Sequence, residues 1–197
     1  AYPLNYPNEW DRLHGRSGHG IWIHGTPSNT YSRPPRASDG CVVLANPDLS
    51  DLRRYIEVGR TPIIIADRTE WVDPVSWEML RQEILTVLDL WRTDWEARDV
   101  PRFLRHYVPE RLDRTWATNK RRNIENKAWI RIGLSDVSVF LYPDAKLAVT
   151  SFTQDYNSDS FSNSTPKRLY WRLDDGQWRI ALEQNLSTNT QLAARGR

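Results

Sequence analysis

Cys41 is the only cysteine in this 197-residue chain, and it closes the run Ser38-Asp39-Gly40-Cys41. Upstream, across a proline-broken loop, lies His24-Gly25. A thiol becomes a nucleophile when a neighbouring base or positive field stabilises its thiolate. His24 can supply both, first as proton acceptor and then as imidazolium partner. Gly40 lets the backbone turn sharply, so that the Gly40 and Cys41 amides can aim at one point, as an oxyanion hole requires. The alternative is a buried small hydrophobe at Cys41 and a satisfied core polar group at His24. The residue types alone leave both readings open.

Positioning these groups falls to the elements around them. Ala1 to Gly18, rich in Pro, Asn, Arg and Gly, reads as extended loop. Gly20 to His24 alternates as a short strand, with Ile21 and Ile23 on one side and Trp22 and His24 on the other. Thr26 to Ala37 carries Pro27, Pro34 and Pro35 and reads as irregular. Cys41 to Leu44 is a second short apolar run. Asn46-Pro47-Asp48 predicts a helix start with Asn46 as cap, Leu49, Leu52 and Ile56 on one face, and Gly59 as stop. Thr61 to Ala66 reads as a buried strand. So few elements are thin for a self-sufficient domain, and the expectation is a sheet that has lost an N-terminal portion.

A polar hinge over Arg68 to Pro74 precedes a change of pattern. Trp77, Leu80, Ile84, Val87, Leu88, Trp91 and Trp95 recur at helical spacing. Asp99 caps a second helix that ends near Pro109, and Lys120 to Arg131 reads as a third, with Ile124, Trp129 and Ile130 inward. Strand-like runs follow over Asp136–Leu141, Lys146–Tyr156, Lys167–Leu173 and Trp178–Glu183. Pro143-Asp144 and Asp174-Asp175-Gly176 read as turns, Asn157 to Thr165 as a polar loop, and the segment after Asn185 as a disordered tail. Helices followed by an antiparallel meander make this half α+β.

Bulk properties bound the function. A formal net charge of +2 is too small a surplus to argue for nucleic acid. No apolar run approaches the ~18 residues of a membrane span. One cysteine excludes an intramolecular disulfide. Ala1 in place of Met fits a mature, trimmed or excised product.

The arrangement His24-Gly25…Ser38-x-Gly40-Cys41 resembles the active-site signature of the L,D-transpeptidase (YkuD-type) catalytic domain, in a match that spans roughly residues 15–66. The resemblance implies Cys41 as acylated nucleophile and His24 as general base. It implies the Gly25 carbonyl as orienter of the imidazole, and the Gly40 and Cys41 amides as oxyanion donors. Ser38, Asp39, Arg36 and Trp22 become substrate-binding candidates. It also implies attack on the diaminopimelate–D-alanine bond of a peptidoglycan stem peptide, with a second stem's amine, a lipoprotein lysine or water resolving the thioester. Two positions depart from the family pattern. Asp39 replaces the usual His of the block, and Val43 stands where Arg or Asn is common, so local charge and substrate contacts change.

The second half resembles the NTF2-like fold, a curved antiparallel sheet wrapped by helices into a cone. That likeness rests on Trp91, Trp95-Glu96-Ala97-Arg98-Asp99, Phe152-Thr153-Gln154-Asp155-Tyr156 and Asp175-Gly176-Gln177-Trp178-Arg179-Ile180. The fold hosts enzymes, binding modules and dimerisation units and fixes no function. Trp116, Trp129, Tyr156, Tyr170 and Trp171 are either core or the lining of a cone pocket, with core favoured.

A zinc site built from His19, His24, Asp39 and Cys41 is disfavoured, because alternation turns His19 away from His24 and no pair has zinc-motif spacing. Neither metal nor other cofactor is expected. Arg33 and Arg36 read either as partners of substrate carboxylates or as solvated loop residues. Lys120-Arg121-Arg122 reads most simply as an exposed helix start.

The reading is thus an α+β chain. Residues 1–70 form the C-terminal half of a mostly-β L,D-transpeptidase-like catalytic domain, and 71–76 a hinge. Residues 77–186 form an NTF2-like accessory domain, and 187–197 a flexible tail. The expected activity is a cysteine acyltransferase of the periplasm or cell envelope acting on peptidoglycan stem peptides. An envelope lipoprotein or other protein, or a second copy of the chain, is an expected partner of the accessory domain; nucleic acid and a membrane span are not. The alternatives are an amide hydrolase using the same thioester, and a catalytically idle fragment whose NTF2-like domain binds or dimerises.

Overall fold

The computed structural model describes residues 1–34, 36–143 and 145–186. The expected tail over 187–197, Pro35 and Asp144 of the expected turn lie outside the described residues. Contacts divide the chain into two compact units, one over Ala1–Pro62 and a second from Ile63 onward.

The first unit is built around a three-stranded sheet in the order β1-β2-β3. Strand β1 (Tyr2–Pro3) pairs antiparallel with β2 (Trp22–His24), which pairs parallel with β3 (Val42–Val43). The first eighteen residues are not all loop, as their composition suggested. Asn8 and Asp11 form a reciprocal capping box that starts helix α1 (Glu9–Leu13). The helix buries Trp10, and β2 buries Ile23.

Helix α2 (Asn46–Leu52) forms where the Asn-Pro-Asp signal placed it, but the cap position belongs to Ala45. Asn46 is the first helical residue, and its side chain is turned elsewhere. The helix is also shorter than its apolar spacing suggested. It passes through a single 3₁₀ turn over Arg53–Tyr55 and ends well before Gly59. The run Thr61 to Ala66 forms no strand, with Ile63 and Ile65 left 40% and 60% exposed. A strand exists only through its ladder partner, and no described strand lies beside this run.

The second unit packs three helices on a four-stranded antiparallel meander, β4-β5-β6-β7. Asp73 accepts from the Val75 and Ser76 amides and, with Pro74 next, starts helix α3 (Pro74–Glu96). Its apolar stripe buries Ile84, Leu88, Trp91 and Trp95. Asp99 caps helix α4 (Val100–Arg105) and Asp113 caps helix α5 (Arg114–Glu125). The third helix therefore begins and ends earlier than its sequence suggested. Ile130 is buried, but in strand β4 (Ile130–Leu141), and Trp129 is 44% exposed just before it.

Strands β5 (Leu147–Ser158) and β6 (Ser162–Asp174) are longer than expected and absorb most of the stretch read as a polar loop. Polar residues suffice there, because a ladder satisfies backbone groups whatever faces solvent. Strand β7 (Gln177–Asn185) follows a two-residue turn in which Asp175 and Gly176 both take positive φ, 49° and 72°. This is the turn chemistry that matches hairpin twist.

Trp91 sits at the centre of the core, its ring 5.2 Å from Trp95 and 6.2 Å from Phe152. Of the aromatic residues considered for a pocket, Tyr170 and Trp171 are buried, Trp116 and Tyr156 pack against the core, and Trp129 is on the surface. A polar cluster shares this interior. Glu183 accepts from Tyr107 Oη at 2.8 Å and is paired with Lys167, with Lys120 Nζ at 3.5 Å. Burial alone would raise the Glu183 carboxyl, but the Lys120 and Lys167 charges and the hydrogen bonds from Lys167 and Tyr107 bring it down to about 2. Among the described residues no helix is long and apolar enough to cross a membrane.

Candidate active site

His24 is the last residue of β2, the central strand of the small sheet, and Cys41 immediately precedes β3, which pairs with it. In the parallel register Ile23 lies opposite Val42 and His24 opposite Val43. Continuing that register one residue back sets Cys41 opposite Trp22, on the sheet face that carries His24. The other face buries Ile23. Alternation thus sorts the chain into a chemical face and a packing face.

The imidazole is held by its own neighbour. His24 Nδ1 lies 2.8 Å from the Gly25 carbonyl oxygen. A carbonyl only accepts, so Nδ1 carries the proton in this bond, and in the neutral ring Nε2 is then the nitrogen that can accept. The Cys41 thiol is half-buried and donates to the Gly20 carbonyl, Sγ to O 3.6 Å. His24 and Cys41 share a face without a hydrogen bond between them, and the thiol is parked on backbone.

The turn into β3 is tightly specified. Gly40 has φ +108°, and a Cβ there would come within 2.8 Å of Ile21 Cδ1. Glycine is thus favoured by the backbone conformation, and the Ile21 methyl would have to shift to admit a side chain. Ser38 Oγ donates to the Cys41 carbonyl at 2.6 Å, which closes the Ser38–Cys41 turn over itself. Asp39 and Arg36 are exposed on the loop leading in, Arg36 with φ +61°. Trp22 is 43% exposed on the face that carries His24. Val43 is half-buried opposite His24. Among the described residues no group of three or more His, Cys, Asp or Glu is placed to hold a metal ion.

Two participants were not legible in the sequence. Gly20 supplies the carbonyl that holds the thiol, and Asn46 donates from Nδ2 to the Thr26 carbonyl at 3.1 Å, next to the His24–Gly25 turn. A backbone carbonyl leaves no residue-type signal. Asn46 carried a misleading one, because Asn before Pro-Asp reads as a helix cap.

Comparison with known proteins divides the chain along similar lines. A family model described as the L,D-transpeptidase catalytic domain matches residues 1–65. A second, described as the Cds6 C-terminal NTF2-like domain, matches residues 83–184, just over half of the chain. Among solved structures, Bd1075 of Bdellovibrio bacteriovorus is similar at 26% identity and a TM-score of 0.79. That match covers 95% of this chain and 68% of Bd1075. The helical cell shape determining protein Pgp2 of Campylobacter jejuni is similar in fold at 24% identity and a TM-score of 0.69, with 91% of this chain and 66% of that one covered. The chain thus spans about two thirds of the length of these relatives. No curated protein matches it.

Proposed function

The chain belongs to the family of the Cds6 C-terminal NTF2-like domain and carries an L,D-transpeptidase stretch ahead of it, and on that premise we propose that it is a peptidoglycan-modifying cysteine acyltransferase of the cell envelope. The observation that carries the reading is His24, held by the Gly25 carbonyl at the end of the strand that pairs with the segment opening directly after Cys41.

In this reading His24 Nε2 takes the thiol proton once Sγ leaves the Gly20 carbonyl. The thiolate attacks the carbonyl carbon of the diaminopimelate–D-alanine amide in a stem peptide. Negative charge develops on the carbonyl oxygen, and the Gly40 and Cys41 amides stabilise it. The C–N bond then breaks, the leaving D-alanine amine takes the proton from His24, and a Cys41 thioester remains. An incoming amine gives up its proton to His24, attacks the thioester and displaces the thiol. Water in the amine's place makes the same site a hydrolase. Ser38 acts by holding the turn, while Asp39, Arg36 and Trp22 contact the stem peptide. The NTF2-like unit positions the enzyme on its polymer or on an envelope partner, and the similarity to a cell shape determining protein supports a role in cell shape.

Carbapenems acylate the nucleophile of L,D-transpeptidases. Intact-protein mass after carbapenem exposure should show one adduct, absent from Cys41→Ala. No adduct, or an equal adduct on the variant, overturns the reading.

A further inference from the structure

Three successive carbonyls around the base, those of His24, Gly25 and Thr26, each have a different partner. The Leu44 amide donates to His24 O at 3.0 Å, His24 Nδ1 to Gly25 O at 2.8 Å, and Asn46 Nδ2 to Thr26 O at 3.1 Å. Two of the three donors come from the segment directly after Cys41. Asn46 also does something else. A Cβ on Gly25 would collide with Asn46 Oδ1 and come 3.2 Å from its Cγ. The carboxamide therefore occupies the space that any side chain at position 25 would need.

We propose that Asn46 is a positioning residue for His24, setting which ring nitrogen carries the proton by locking the Gly25–Thr26 turn. The proposal rests on the reading of His24 as general base. A free imidazole favours the Nε2–H tautomer, which cannot accept a thiol proton at Nε2. The Gly25 carbonyl reverses that preference by accepting from Nδ1–H, so the direction of this carbonyl decides the tautomer. Asn46 holds that direction from both sides of the turn, as a donor to the following carbonyl and as a wall against the Gly25 Cα. Aspartate would set an acceptor against the Thr26 carbonyl. Glutamine, one methylene longer, would drive into Gly25. Helix α2 fixes the backbone from which Asn46 reaches, with Ser50 Oγ donating to the Asn46 carbonyl at 3.0 Å. One short segment thus carries the nucleophile, the strand beside the base and the clamp on the base's orienter.

The test is the ¹⁵N spectrum of His24 in the full chain, assigned by its loss in His24→Gln and read where the imidazole is neutral. The wild type should show the Nδ1–H tautomer. Asn46→Ala should move the majority to Nε2–H and slow Cys41 acylation by about tenfold to a hundredfold. Asn46→Asp keeps the shape and places an acid in the first helical turn, where it is tolerated, so it carries the test if the alanine variant does not fold. A folded Asn46 variant that keeps the wild-type tautomer overturns the inference. If the tautomer shifts while the wild type takes no carbapenem, the positioning role stands and the acyltransferase reading fails.

Discussion

Gly40 is packed against Ile21 so closely that a single added methyl group would come within 2.8 Å of Ile21 Cδ1, in a backbone conformation, φ +108°, that L-residues rarely adopt. The contact joins the turn that presents Cys41 to the residue just ahead of β2. Gly40→Ala should destabilise the first unit by about 1–3 kcal/mol and depress carbapenem acylation. Urea unfolding followed by hydrogen exchange of the first unit's amides and adduct formation by mass spectrometry check the two effects. Wild-type stability in the variant would remove the claimed preference for glycine.

His24 is the proposed base, so His24→Gln should retain Cys41 but slow its acylation by about 10²–10⁴-fold at neutral pH. The time course of adduct mass measures this. A rate within twofold of the wild type would show that another group takes the thiol proton.

Transfer and hydrolysis diverge only after the thioester. Incubation with muropeptides should give dimeric products joined through a side-chain amine, with D-alanine released. Release of D-alanine without dimers would assign water as the acceptor and make the protein a hydrolase.

Glu183, its side chain 12% exposed, sits between Lys167, Lys120 and Tyr107. Its folded-state pKa, about 2, lies below the ordinary value of 4.5. A depressed carboxyl contributes stability that is fully present above the unfolded value and is lost as pH falls from there toward the folded one. Stability should therefore drop between about pH 4.5 and 2. Glu183→Gln should flatten that part of the profile and cost about 3–5 kcal/mol at pH 7, because Lys167 is left buried without its counter-charge. Urea unfolding across pH checks both. An unchanged acid limb would falsify this assignment.

Gly176 sits at φ 72° in the β6–β7 turn with nothing within 4 Å of where a Cβ would lie. Gly176→Ala should cost only the backbone term, about 1 kcal/mol. A thermal midpoint that falls by far more would mean that the turn has contacts beyond its conformation.

The resemblances drawn from short signatures, at His24-Gly25 and Gly40-Cys41 and along the Trp91–Asp99 helix end, agree with the two family models and with the mixed helix-and-strand architecture. Such signals are local: a nucleophile with a glycine before it, a cap three residues from its amide, an apolar stripe at helical period. Boundaries were less legible. The third helix and the two long strands of the meander have other bounds than their sequence suggests, because propensity cannot see a ladder partner. Pro166 and the polar residues around it form strand only because β5 pairs with them.

The sequence by itself determined the chemistry available, since a lone thiol, one candidate base and a glycine turn are residue types and spacings. Only the tertiary structure decided what holds them. The pairing of β2 with β3 brings the segment opening after Cys41 alongside His24, Gly20 parks the thiol, and Asn46 reaches back from a helix start to a turn twenty residues earlier. Those relations depend on three-dimensional proximity between segments distant in the chain, and on backbone carbonyls that every residue carries alike. No pattern of side chains announces them.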